Sequence, residues 1–228
     1  AEKHETAAAA MNAITAKLIG RTGNQLFIWA FSKAFAEQRG YELRTEPWIG
    51  ERIFTLDRHE CKRPDGSESE SLCGYFQNQS SLIYTRADCR RWFTFRPEVA
   101  RILDSDSSMH PTGITAHFRR GDYAGAGFPL ISRPSVFAAV AKYFPGDQSD
   151  IEDISDEHPV THPAFRGDLE LVPDLYRLMH APILFRANST FSWWTATLVH
   201  GRVFSPRIDG LKGGIEHDGV PYEEGNHC

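Results

Sequence analysis

The sequence predicts an α/β fold of two lobes, each an open sheet flanked by helices, meeting near residue 110. Three observations carry this expectation. A strand, a glycine-bearing turn, a helix and a second strand open the chain. The same alternation recurs after residue 113. The composition, with 41% hydrophobic and 24% charged residues, is that of a globular protein and excludes a disordered, collagen-like or coiled-coil chain.

The elements follow in order. Residues 13–19 alternate polar and apolar side chains and run into Gly20-Arg21-Thr22-Gly23, as a strand entering a turn does. Residues 24–39 place Leu26, Phe27, Ala30, Phe31, Ala34 and Phe35 at helical spacing, and Gly40 suits the helix C-terminus. A strand is expected over 41–45 and another over 72–76, while 46–72 is polar and turn-rich and carries no assignment. A helix over 90–103 closes the first half. In the second half, strands are expected at 113–118, 150–155, 182–186 and 202–205. Helices are expected at 134–143, 173–180 and 192–199, the first opening on a proline that suits a first turn. The tail from Gly210 is polar and glycine-rich. Residues 1–10 read as a leader outside the fold.

Charge and cysteines narrow the partners. Lys and Arg number 25 against 30 Asp and Glu, a net −5, which argues against a nucleic-acid groove or a basic membrane face. No run approaches the roughly 18 apolar residues of a membrane span. Cys61, Cys73, Cys89 and Cys228 form no CxxC pair, so reduced thiols in a cytoplasmic protein are expected.

Three stretches can carry chemistry. In 20–27 (GRTGNQLF), glycines between strand and helix let a backbone approach a ligand, although Asn24 as a helix cap explains the turn equally well. The stretch lacks both the GxGxxG spacing and a P-loop lysine. In 117–123 (HFRRGDY), two adjacent guanidiniums follow a strand, where ligands of open α/β sheets sit. Their forks suit phosphate or carboxylate oxygens; one can face a ligand while the other pairs internally with Asp122. A surface ion-pair cluster is the plain alternative. In 188–194 (NSTFSWW), the hydroxyls of Ser189, Thr190 and Ser192 gather at a helix start, where the dipole is positive. N-capping accounts for the same residues, with Trp193 and Trp194 in the core. Together the second and third stretches describe a clamp for a diphosphate.

In this order, the stretches resemble the peptide signatures of the α-1,2-fucosyltransferases of glycosyltransferase family 11. The matching residues are Gly23-Asn24-Gln25-Leu26-Phe27 with Ala30, then His117–Tyr123, then Asn188–Trp194; Gly74-Tyr75-Phe76-Gln77 is similar to a further family stretch. The resemblance implies a two-lobed GT-B fold built from Rossmann-type lobes. The N-terminal lobe (11–110) would take the acceptor and the C-terminal lobe (111–228) the donor. It implies GDP-L-fucose as donor, a galactose-terminated glycan as acceptor through its 2-OH, inversion at the anomeric carbon, and no metal or other cofactor. Carried over by residue, Arg119 contacts the diphosphate and Arg120 supports the loop. Asn188, Ser189, Thr190, Phe191 and Ser192 form the phosphate turn. His117, Gly23, Asn24 and Gln25 belong to the donor site, and Asp156 takes the guanine edge. Arg119, Asn24 and Asp122 are the catalytic candidates, with Glu157 a second candidate base.

The chain is shorter than is usual for that family, and the 117–188 interval looks compressed. Two rival readings therefore stand beside it. Asp104-Ser105-Asp106 has the D-x-D spacing of a metal-dependent sugar transferase, although an exposed acidic turn explains it. His158 and His162 have i, i+4 spacing, but Pro159 and Pro163 discourage the helix a metal pair would need. A nucleotide- or glycan-binding module without turnover is the other rival.

Overall fold

The computed structural model describes residues 13–56, 69–146 and 150–226. The expected leader, Cys61 and Cys228 lie outside the described residues. The chain divides into two compact units, Ala1–Glu51 with Leu56–Thr85 and Arg52–Thr55 with Arg86–Cys228.

The first unit is a strand-helix-strand repeat. β1 (Ala13–Ala16) is followed by α1 (Thr22–Arg39) and β2 (Glu42–Thr45). β3 (Ser69–Leu72) completes a parallel sheet in the order β2-β1-β3, with Ala13 opposite both Glu42 and Ser69. Leu26, Phe27, Ile28, Trp29 and Ala30 bury the middle of α1. Gly40 ends α1 in the left-handed region at φ 66°, its N–H reaching the carbonyls of Ala36 and Glu37. The strand expected over 72–76 instead ends at Leu72.

The second unit gathers α2's end and everything from α3 onward. α2 (Gly50–Ile53) runs from the first unit into the 52–55 segment. That segment belongs here because Phe54 bridges Phe95 and packs edge-on against Phe93. The single helix expected over 90–103 is two, α3 (Arg86–Trp92) and α4 (Pro97–Asp104). Pro97 explains the break: its ring disfavours helical backbone at the preceding residue, and Arg96 is extended at φ −58°, ψ 142°. α3 packs with the later elements, which is why the compact division falls at 85–86 and not near 110.

Next come β4 (Ile114–Phe118), β5 (Leu130–Ile131), α5 (Arg133–Tyr143), β6 (Ile151–Ser155), α6 (Val172–His180) and β7 (Ile183–Phe185). α7 (Thr190–Leu198), β8 (Arg202–Pro206), β9 (Glu216–His217) and β10 (Tyr222–Glu224) complete the chain. Arg86 Nε donates to the Thr197 carbonyl at 2.7 Å, and both Arg86 and Arg90 donate to that of Val199, so α3 closes the C-terminal end of α7. The polar, glycine-rich tail supplies β9 beside β5 and β10 beside β8.

The main sheet runs β10-β8-β7-β4-β6, parallel except for β10. Strand alternation sorts its two faces. Ile114, Ala116, Phe118, Phe185 and Phe204 pack with Val136 and Val140 of α5. Ile154, Leu184 and Val203 pack with Leu178 of α6 and Ala196 of α7. Helices therefore cover both faces. From β4 the chain crosses to β6 on one side, whereas from β7 it crosses to β8 on the other. The adjacent carboxyl ends of β4 and β7 thus flank the point where the winding reverses, the usual ligand crevice of such sheets.

Candidate functional site

The turn after β4 carries the arginine pair. Arg119 pairs through Nη1 with Asp156 Oδ2 at 2.9 Å and through Nη2 with Asp122 Oδ1. Arg120 donates its backbone N–H to Asp156 Oδ1 at 2.7 Å and its guanidinium to Glu216 at 2.6 Å. The internal partner of Asp122 is therefore Arg119, and that of Arg120 lies in the tail. Asp156, which the resemblance placed on a guanine edge, here has both oxygens engaged by the arginine turn. Gly121 sits at φ +22°, and a Cβ there would run into the Asp156 carboxylate, so this position requires glycine.

His117 is 5% exposed near the end of β4. Burial first, then the nearby Arg119, pushes its pKa down to about 4, with Asp156 opposing. The ring is neutral at pH 7, and its Nδ1 is buried without a hydrogen-bond partner among the described residues. It lies 5.8 Å from the Phe191 ring, which brings the ends of β4 and α7 together.

The turn after β7 is built largely to hold itself. Ser189 caps α7, accepting from the Ser192 N–H at 3.1 Å, while fully buried Ser192 accepts from the Ala187 N–H at 2.8 Å. Ser192 thus braces the turn from within. Asn188 donates to the Pro129 carbonyl at 2.9 Å. The first turn of α7 lies at the positive helix end. Trp193 and Trp194 are core, the latter edge-on to Phe93 at 5.1 Å. Arg186, 7% exposed at the end of β7, donates to Ser205 Oγ and the Ala187 carbonyl and adds a buried positive charge that no motif marked.

Beside the arginine turn lies a pocket of about 550 Å³ whose wall includes Arg120, Gly121, Ser132, Arg133, Glu157 and Glu216. Arg133 and Glu216 escaped the sequence reading. They come from distant segments, and only the β5–β9 pairing brings the tail alongside, so nothing local could have flagged them.

Asp156 and Glu157 follow the end of β6, and the loop beyond them is tied down by Asp174, which accepts from the Val160 N–H at 2.7 Å. Asp174 is 9% exposed; burial raises its pKa to about 7, against the lowering by that amide bond.

In the first unit, Asn24 is not the helix cap. Arg21 holds that position without a side-chain bond. Asn24 Oδ1 accepts from Gln77 Nε2 at 3.0 Å, and Gln25 Nε2 donates to the Gly20 carbonyl at 3.0 Å. Gly23 is buried in the first turn of α1.

The other candidates have structural roles. Asp104 accepts from the Tyr176 hydroxyl, and Asp106 accepts from Ser108 N and Oγ at 2.9 and 2.7 Å. His158 and His162 lie in loop. Among the described residues, no group of three or more His, Cys, Asp or Glu is placed to hold a metal ion. Cys73 is exposed and Cys89 buried, both as free thiols. No described helix is long and apolar enough to cross a membrane.

Two α/β units with parallel sheets, the second wound in both directions from β4 and β7, define the GT-B-like class of fold. Solved structures bear this out. The chain is similar to the NodZ alpha-1,6-fucosyltransferase co-crystallized with GDP, with a TM-score of 0.57, 14% identity, and coverage of 95% of this chain and 99% of that one. It is similar to the same enzyme soaked with GDP-fucose (TM-score 0.54, 14% identity, 94% and 99% covered). It is also similar to the fucosyltransferase NodZ from Bradyrhizobium (TM-score 0.55, 13% identity, 95% and 99% covered). At such identity the likeness is one of fold. No family model and no curated protein matches the sequence.

Proposed function

We propose that this chain is an inverting fucosyltransferase that moves L-fucose from GDP-L-fucose to a glycan hydroxyl without a metal. The supporting observation is the packing of His117, at the end of β4 that leads into the arginine turn, against Phe191 in the first turn of α7, at the reversal of sheet winding. The NodZ structures with GDP and GDP-fucose favour the same donor. In this reading the second unit takes the donor, in the crevice between the carboxyl ends of β4 and β7, and the first unit serves the acceptor.

Cleavage of the fucose–phosphate bond leaves negative charge on GDP and positive charge on the sugar ring. Arg119 and the first-turn amides of α7 stabilise the diphosphate as its charge grows, and they need no reorganisation at that moment. The incoming diphosphate competes with the exposed Asp122 for the Arg119 fork, while Asp156 keeps the guanidinium in place. The neutral His117 offers Nδ1 to the donor. Asp122 and Glu157 are the carboxylates available to take the acceptor proton. The motif resemblance favours the 2-OH of a terminal galactose. The α-1,6 linkage named for the NodZ structures makes a 6-OH the alternative. The working location in this reading is the cytoplasm, where Cys73 and Cys89 stay reduced.

The test is incubation of the protein with GDP-fucose, EDTA and a panel of glycans, with linkage analysis of any product. Fucosylated product in EDTA is the expected result. GDP binding with no consumption of donor on any acceptor would leave only a nucleotide-binding module. Activity restored solely by Mn²⁺ or Mg²⁺ would favour the metal-dependent reading. A parallel thermal-shift screen should pick out GDP over UDP and CDP, since a ligand at 100 times its Kd adds about 2.7 kcal/mol.

A further inference from the structure

The segment 74–77 lies along α1 and is fastened to it at two points. Phe76 stacks on Phe31 with ring centroids 4.0 Å apart and planes within 6°. Gln77 Nε2 donates to Asn24 Oδ1 at 3.0 Å. Asn24 and Phe31 are seven residues apart, so they share one face of the helix two turns apart. Reaching both points forces the backbone. Gly74 adopts φ 149°, and Phe76 sits at φ 51°, the one non-glycine residue with positive φ among the described residues. A phenylalanine in that region is strained and persists only where its surroundings hold it. The Phe31 stack does so, and the next side chain, Gln77, is thereby aimed at Asn24. On the opposite side of Asn24, Gly20 at φ 78° leaves no Cβ against the Asn24 amide nitrogen.

We infer that Gln77 is a positioning residue for Asn24. Because Gln77 presents an N–H, it takes the Asn24 oxygen and sets the carboxamide in one of its two orientations, with the amide nitrogen turned over Gly20. The strained Phe76 and its ring stack are the device that holds Gln77 there. The inference rests on the proposed function, with Asn24 as the catalytic candidate the family resemblance implies, for its effect on transfer, but not for the orientation itself.

Two measurements keep these apart. By NMR, the side-chain amide protons of Asn24 should give one well-dispersed pair in the wild type. In Gln77→Ala they should shift and exchange at least about tenfold faster; unmoved signals overturn the inference whatever the protein catalyses. By kinetics with GDP-fucose, Gln77→Ala should lower kcat about tenfold with KM for the donor within about twofold. The double variant with Asn24→Ala should be no slower than Asn24→Ala alone. Effects that multiply instead would show that Gln77 acts independently of Asn24, and would overturn the inference. Gln77→Glu keeps the length but can only accept, so it must flip the Asn24 amide. It should be as slow as Gln77→Ala while melting within a few degrees of the wild type; wild-type turnover by Gln77→Glu overturns the inference. A wild type that consumes no GDP-fucose would sink the proposed function and leave the NMR result to judge the orientation.

Discussion

In the first unit, the turn after β1 is held by neutral amides, Gln77 to Asn24 and Gln25 to the Gly20 carbonyl. In the second, the turn after β4 is held by charge, with Arg119 between Asp122 and Asp156 and Arg120 on Glu216. Both follow the carboxyl end of a parallel strand, yet they suit different work. A carboxamide network fixes orientation and is insensitive to salt. A guanidinium held by carboxylates keeps a charge ready for an anion, and a competing anion can displace one of those carboxylates.

The comparison breaks first at Arg119. Arg119→Ala should lower kcat by about 10²–10³ with the fold retained by circular dichroism, and Arg119→Lys should not restore it, since an ammonium lacks the fork. Near-normal turnover by either variant would remove the charged turn from the mechanism.

A second effect comes from the loop behind that turn. Burial raises the folded pKa of Asp174 to about 7 from the ordinary 3.8, so the folded state binds the extra proton between those values. Its contribution to stability is present below about pH 4 and is lost as pH rises to 7. Asp174→Asn should therefore gain stability relative to wild type from pH 5 to pH 7, by up to about 1.4 kcal/mol per pH unit, in urea melts. His117 acts in the opposite sense. Its folded pKa of about 4 lies below the ordinary 6.5, so its contribution is present above 6.5 and falls away toward 4.

Gly121→Ala should push Asp156 off the arginine turn and weaken GDP binding about tenfold by calorimetry. Unchanged affinity would separate the turn's geometry from nucleotide binding. The smallest expected effect is that of Asp122→Asn. Removing the competing carboxylate should tighten GDP by a few-fold and slow turnover, with little change in melting temperature, because the pair is exposed on the Asp122 side. Weaker GDP binding by this variant would contradict the displacement of Asp122.

Much of the local architecture was legible. Leu26, Phe27, Ala30 and Phe31 at helical spacing, followed by Gly40, located α1 and its end, and Pro134 marked the first turn of α5. The misreadings each have a physical cause. Apolar periodicity carried through 90–103, but Pro97 dictates extended backbone at Arg96, and two helices result. The hydroxyls of Ser189 and Ser192, expected on the phosphate turn, also hold that turn together, Ser189 accepting from the Ser192 N–H of the helix start and Ser192 from the Ala187 N–H before it. The two-residue β9 is too short to show a period, and it forms because β5 offers it a partner.

By itself, the sequence determined where strands give way to glycine turns and helices, because backbone preference and side-chain spacing act over a few residues. It also placed an arginine pair and a hydroxyl-rich helix start after two strands. Only the tertiary structure decided that those strands are neighbours at the reversal of winding. It likewise decided that Arg119 faces Asp156 and that Arg120 reaches Glu216 in the tail. Those pairings join residues far apart in the chain, and the energy that selects them exists only once the sheet has brought them within a few ångströms.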